Sequence, residues 1–136
     1  GDRDMLLVSM RQAASISSDG EKSEFLRATA SRYLANDDEQ LRNAFFSVTN
    51  TISSDGEKHE VLNAVLPYAQ RPIVLLAVLD AARQISSDGE KSELLVSILK
   101  RRAVTTPQLK EAFMKTTRTL SSDAEYRRVM EAMLES

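Results

Sequence analysis

A seven-residue string recurs along this chain and limits what it can fold into. Ile16-Ser17-Ser18-Asp19-Gly20-Glu21-Lys22 returns as Ile52 to Lys58 and as Ile85 to Lys91, and in weaker form as Leu120-Ser121-Ser122-Asp123-Ala124-Glu125-Tyr126. The leading apolar residues, Ile16, Ile52, Ile85 and Leu120, are 36, 33 and 35 positions apart. Periods of that size belong to stacked supersecondary units, none of which can bury its apolar face alone. A length of 136 residues gives four such units, at about 2–35, 36–70, 71–104 and 105–136, in one helical-repeat domain.

Behind each copy the apolar residues follow a helical period: Phe25, Leu26, Ala28 and Thr29, then Val61, Leu62, Ala64, Val65 and Leu66. The third and fourth copies continue with Leu94, Leu95, Ser97, Ile98 and Leu99, and with Val129, Met130, Ala132, Met133 and Leu134. The segments ahead of the motif align as well. Met5, Leu41, Val74 and Leu109 stand eleven places before the marker residue, and Val8, Ala44, Ala77 and Ala112 eight places before it. Each unit therefore reads as two helices, A then B, which predicts eight helices of roughly 12 to 16 residues joined by short connections. Four glycines and three prolines are too few for a turn-rich β-sandwich. The fold class is all-α, a right-handed α-solenoid of four two-helix HEAT-like repeats. The tetratricopeptide pattern, with its aromatic core and closing Pro, is missing.

The motif itself reads as a helix start. Ser18, Ser54, Ser87 and Ser122 are followed three residues later by Glu21, Glu57, Glu90 and Glu125, the spacing of a capping box in which hydroxyl and carboxylate satisfy backbone donors reciprocally. Asp19, Asp55, Asp88 and Asp123 place negative charge in the first turn, favourable against the helix dipole. For the A helices the start signals are Asp37 with Gln40, Pro72, and Thr106 followed by Pro107. Small residues shared by the B helices (Ala28, Ala64, Ser97, Ala132) predict close helix approach. Lys22, Lys58 and Lys91 follow the box Glu, with stems expected to cover the core while their ammonium groups reach outward. Pairing each with an acid of the neighbouring motif, Lys22 with Asp55 for example, would make an ionic ladder.

The S-D-G-E-K motif resembles the tandem S-D-x-E-K helical repeats in C-terminal extensions of bacterial membrane-anchored zinc metallopeptidases of the beta-lactam-sensor type. The resemblance covers all four repeats, but the H-E-x-x-H helix of the peptidase is absent, so no protease activity is implied. It implies an appended sensor or regulatory module, periplasmic or extracytoplasmic; without it a cytoplasmic address stays open. The opening Gly1-Asp2-Arg3-Asp4, lacking Met, reads as a fragment of a larger bacterial protein.

Catalytic signatures are missing: no G-x-S-x-G, phosphate-binding glycine loop, G-x-G-x-x-G or H-E-x-x-H occurs. His59 is the single histidine, so a zinc site using two imidazoles is excluded, and its sister positions hold Ser23, Ser92 and Arg127, which marks it as an exposed, replaceable residue. Eight motif acids line one edge, but capping occupies their lone pairs, so neither metal nor cofactor is expected. A net charge of −2, 5% aromatics and no Trp argue against nucleic acid and against a HEAT-like nucleic-acid enzyme. The longest apolar stretch, Ile73 to Leu79, is too short for membrane insertion. The absence of Cys excludes disulfides and thiolate chemistry.

What remains is a non-catalytic protein-interaction or scaffolding module that binds a protein or peptide on its B-helix face. The residues expected to point outward there include Ser23, Arg27, His59, Glu60, Asn63, Pro67, Ser92, Val96 and Lys100. Of these, Arg27, His59, Glu60, Asn63, Val96 and Lys100 are the binding candidates. Lys100-Arg101-Arg102 with Arg83 and Arg118 is a candidate basic corner, though such a run also complements a helix C-terminus. Apolar residues at both ends, Met5 to Val8 and Val129, Met130 and Met133, predict continuing repeats or end-to-end self-association.

Overall fold

The structure, a computed structural model, describes residues 2–136. It is all-helical: α1 (Asp2–Ala13), α2 (Asp19–Leu34), α3 (Glu39–Thr49), α4 (Asp55–Val65), α5 (Pro72–Ala82), α6 (Asp88–Lys100), α7 (Pro107–Thr117) and α8 (Asp123–Glu135). Four of these, α3, α4, α5 and α7, are 11 residues long, slightly under the expected range. In α4 the cause is Pro67, which has no N–H to donate back to Asn63. Leu66 N–H takes the Asn63 carbonyl instead, and the chain tightens into a 3-10 turn over Leu66–Tyr68. Pro67 thus lies beyond the B helix, not on its outward face.

Odd-numbered helices pack on odd-numbered ones, α1 on α3, α3 on α5 and α5 on α7, and even-numbered on even-numbered, α2 on α4, α4 on α6 and α6 on α8. Between the two rows runs one continuous apolar core, from Met10, Leu26 and Tyr33 through Phe45, Leu62 and Leu75 to Leu95, Phe113 and Val129. Its polar members are satisfied locally: Tyr33 Oη donates to the Leu6 carbonyl at 2.7 Å, and the buried Thr49 and Thr117 hydroxyls donate one turn back along their own helices.

Each even-numbered helix begins as the motif predicts. The Ser18, Ser54, Ser87 and Ser122 side chains accept from Glu21, Glu57, Glu90 and Glu125 N–H at 3.2 to 3.3 Å. The return half of the capping box differs. The Ser54, Ser87 and Ser122 N–H groups are held by the Asp carboxylate of the preceding motif. Asp19 accepts from Ser53 and Ser54 N–H at 3.1 and 2.9 Å, Asp55 from Ser86 and Ser87 at 3.2 and 2.8 Å, and Asp88 from Ser121 and Ser122 at 3.0 and 2.6 Å. One residue therefore serves two helices: it is the first residue of its own helix and closes the start of the next. The box Glu, relieved of that duty, is available to other partners.

Among the A helices, α3 starts one residue later than expected. Asp38, not Asp37, caps it, accepting from Leu41 N–H at 3.1 Å while Arg3 Nε donates to it at 2.7 Å. The Arg3 guanidinium is the main reason the Asp38 carboxyl titrates below its ordinary range, with the Leu41 N–H second. Asp37 turns outward to Arg42 and Arg71. Thr106 caps α7 with Pro107 at its first position, and α5 opens on Pro72 with no side-chain cap.

The Asp clasp generates a stability expectation. Asp55→Ala removes two charge-assisted bonds that cross a repeat boundary and should cost about 1–3 kcal/mol in urea unfolding. Asp123→Ala, whose carboxylate accepts from no Ser N–H pair among the described residues, should cost this chain under about 0.5 kcal/mol.

Candidate functional site

Connections of five residues such as 83–87 turn each A helix back into its B helix, so all four motifs lie along one edge and the B-helix C-termini along the other. This separates the residues of the expected basic corner. Arg83 and Arg118 end α5 and α7 at the motif edge, while Lys100, Arg101 and Arg102 end α6 at the opposite edge, a helix length away. Arg83 is instead committed to Thr116 Oγ1 at 3.1 Å and Asp80 at 2.7 Å.

At the fifth B-helix position the outward expectation also fails. Ser23 and Ser92 are fully buried, and His59 is largely buried with its Nδ1 against Glu90 Oε2. This position faces the first turn of the next B helix. Ser92 Oγ meets Glu125 Oε1 at 3.0 Å, and Ser23 Oγ meets the Glu57 carbonyl at 3.5 Å. The box Glu freed from capping is thus what receives His59 and Ser92. A helical wheel built on one repeat cannot show this, because the burying surface belongs to another repeat.

The Lys ladder takes a different form as well. Lys22, Lys58 and Lys91 are buried to within 6% exposure. Lys22 Nζ donates to Thr51 Oγ1 at 3.0 Å rather than reaching Asp55, and Lys91 Nζ donates to Thr119 Oγ1 at 2.8 Å. Asp55 is already occupied by two backbone N–H groups. Burial pulls the Lys58 ammonium below the ordinary lysine range, opposed by Asp55 and Asp19; Lys91 is lowered in the same way, opposed by Asp88 and Asp55. The position equivalent to Thr51 and Thr119, one residue ahead of the following motif, is Gln84 in the repeat after Lys58.

The remaining candidates line a shallow face on the B row. Between α4 and α6 a groove of about 560 Å³ is lined by Glu57, His59, Glu60, Asn63, Glu90, Glu93 and Ser97, among others. Its lining thus holds four glutamates and one imidazole, of which Glu90 alone contacts His59. Between α6 and α8 a second groove of about 530 Å³ is lined by Val96, Lys100, Arg127, Arg128, Glu131, Ala132 and Glu135. Ser97 and Ala132 line these grooves, Ala132 also packing against the core, and Ala28 is exposed. Arg27 reaches Ser23 Oγ at 3.1 Å and Glu60 at 3.6 Å, so it borders the acidic groove. Val96 is half-buried against the core, while Asn63, Glu60 and Lys100 are exposed. A larger, apolar-lined cleft of about 900 Å³ lies beside Ser136, among Leu99, Phe113, Met114 and Met133.

Among the described residues no group of three or more His, Cys, Asp or Glu side chains could hold a metal, and no helix is long and apolar enough to cross a membrane. Comparison with known families, curated proteins and solved structures finds no match.

Lys58 gives a prediction with a defined pH sense. A lysine whose folded value lies below its unfolded value destabilises the fold below both values, and that penalty disappears as pH rises to the unfolded value. Lys58→Met should therefore raise stability at neutral pH, by up to about 1 kcal/mol. Its advantage over the natural chain should shrink as pH climbs toward the ordinary lysine range, read from paired urea midpoints.

Proposed function

We propose that this chain is a non-catalytic interaction module, an α-solenoid of four HEAT-like two-helix repeats that receives an extended, basic peptide segment along its B-helix face. The solenoid reading is supported by the stacking of each helix on its equivalent in the next repeat, with α2 also packed on α3, and by the repetition of one clasp at three boundaries. The observation that carries the binding reading is the acidic α4–α6 groove. Glu57, Glu60, Glu90 and Glu93 line one opening beside the His59 imidazole, with Arg27 paired to Glu60 at its border. Such a surface attracts Lys and Arg side chains, raising the on-rate more than the ultimate affinity. The neighbouring α6–α8 groove is of mixed charge, with Lys100, Arg127 and Arg128 beside Glu131 and Glu135, so the basic segment is expected to seat on the α4–α6 groove.

A panel of labelled dodecapeptides, basic, acidic and mixed, read by fluorescence anisotropy, tests this. Basic peptides should bind, more weakly as salt rises. The double variant Glu60→Lys, Glu93→Lys should weaken them by about ten-fold or more. Equal binding of acidic and basic peptides, or none by either, would remove the proposal.

A further inference from the structure

At three boundaries the fifth B-helix side chain meets the first turn of the next B helix, and at only one of them can the contact change charge near neutral pH. Ser23 and Ser92 contribute hydroxyls, to the Glu57 carbonyl and to Glu125 Oε1. His59 puts an imidazole on Glu90 Oε2 instead, inside the α4–α6 groove. Histidine is the side chain whose ordinary titration falls between about pH 5 and 8. The His59 side chain is 13% exposed and that of Glu90 36%, so the pair lies within the groove wall and still meets solvent.

The chain's own basic groups thus sit on two of the four groove glutamates, His59 on Glu90 and Arg27 on Glu60 at 3.6 Å. Glu57 and Glu93 make no ion pair among the described residues. The other charged groups around α4 are placed elsewhere. Lys58 and Lys91 are buried, α5 brings only Asp80, held by Arg83, and Glu24 of α2 is the sister of Glu60 one repeat back. Tyr68 lies in the 3-10 turn beyond the far end of α4.

A proton on His59 therefore acts twice at one place. It adds a positive charge to the groove, and it tightens the hold of the imidazole on Glu90, leaving that carboxylate less open to a cation from outside. Loss of the proton reverses both effects. Glu90 and Glu93 are three residues apart on α6, which puts their Cβ atoms roughly 5–6 Å apart, and alternate residues of an extended chain, roughly 6–7 Å apart, match that spacing.

Resting on the reading of this groove as a seat for a basic segment, we propose that His59 is the ligand's proton-operated competitor. Protonated, it occupies Glu90 and opposes binding; neutral, it yields Glu90 to one Arg or Lys of the ligand, whose second basic residue, two positions on, takes Glu93. Because proton and ligand compete, binding of the segment expels a proton, by the reciprocity that links any two coupled sites.

A labelled alternating Arg–Ser dodecapeptide, read by fluorescence anisotropy at one ionic strength, tests this at about pH 5.5 and about pH 8. The natural chain should bind about three- to ten-fold more tightly at the higher pH. His59→Ser, which installs the residue of the sister boundaries, should bind nearly equally at both. His59→Arg, charged at both, should bind weakly at both. At about pH 6.5, calorimetry in two buffers of different ionisation heat should show protons released on binding to the natural chain but not to His59→Ser, a signature that a packing role for His59 would not produce. Far-UV circular dichroism verifies that both variants are folded. An affinity that is flat or falls with rising pH, or a pH response kept by His59→Ser, would overturn this proposal and leave the peptide-binding reading in place. Absence of binding at both pH values would overturn the two together.

Discussion

The clasp between an Asp carboxylate and two backbone N–H groups of the following motif is the contact on which the rest of the array depends. A helix N-terminus carries orphan donors, and a carboxylate is the strongest neutralising partner a side chain can offer them. By placing that carboxylate on the first residue of the preceding B helix, the chain makes each helix start a condition of its neighbour's. The spacing between B helices, their common edge and the freeing of the box Glu all follow. So does part of the groove lining, because Glu57 and Glu90, not consumed by capping, are two of the acids there.

A row of acids along one edge carries an electrostatic burden, and the three buried lysines answer it. Their stems complete the core, and for Lys58 and Lys91 the ammonium groups lie within the field of two motif carboxylates, their own and the one before. That field does not fully compensate burial. The arrangement thus combines a favourable contact, carboxylate to main chain, with an unfavourable one, a desolvated cation, in the same few residues. This is a common balance where repeated charges must be packed close together.

Much of this was legible in the sequence, and the parts that were not share a cause. Helix number and the four Ser caps follow from local patterns, since periodicity and capping act over three or four residues. The destination of Asp55, the burial of Ser23 and Ser92 and the pinning of His59 by Glu90 depend on pairs more than thirty residues apart. A repeat aligned on itself shows which positions are equivalent but not which of them face forward. The start of α3 slipped by one because Asp37 and Asp38 both suit a cap, and only the reach of Arg3 from α1 favours the second. The basic corner does not form because the antiparallel turn of each pair sends Lys100, Arg101 and Arg102 to the edge opposite Arg83 and Arg118.

Because the Asp clasp grips main chain, the receiving residues Ser53, Ser86 and Ser121 contribute to it nothing from their side chains. Apart from proline, whose nitrogen carries no hydrogen, any residue there can be gripped equally well. A repeat copied, deleted or exchanged within the gene would meet its new neighbour with the bond already complementary, with no pair of side chains needing to change together. Arrays joined in this way can lengthen or shorten by recombination while their grooves diversify independently.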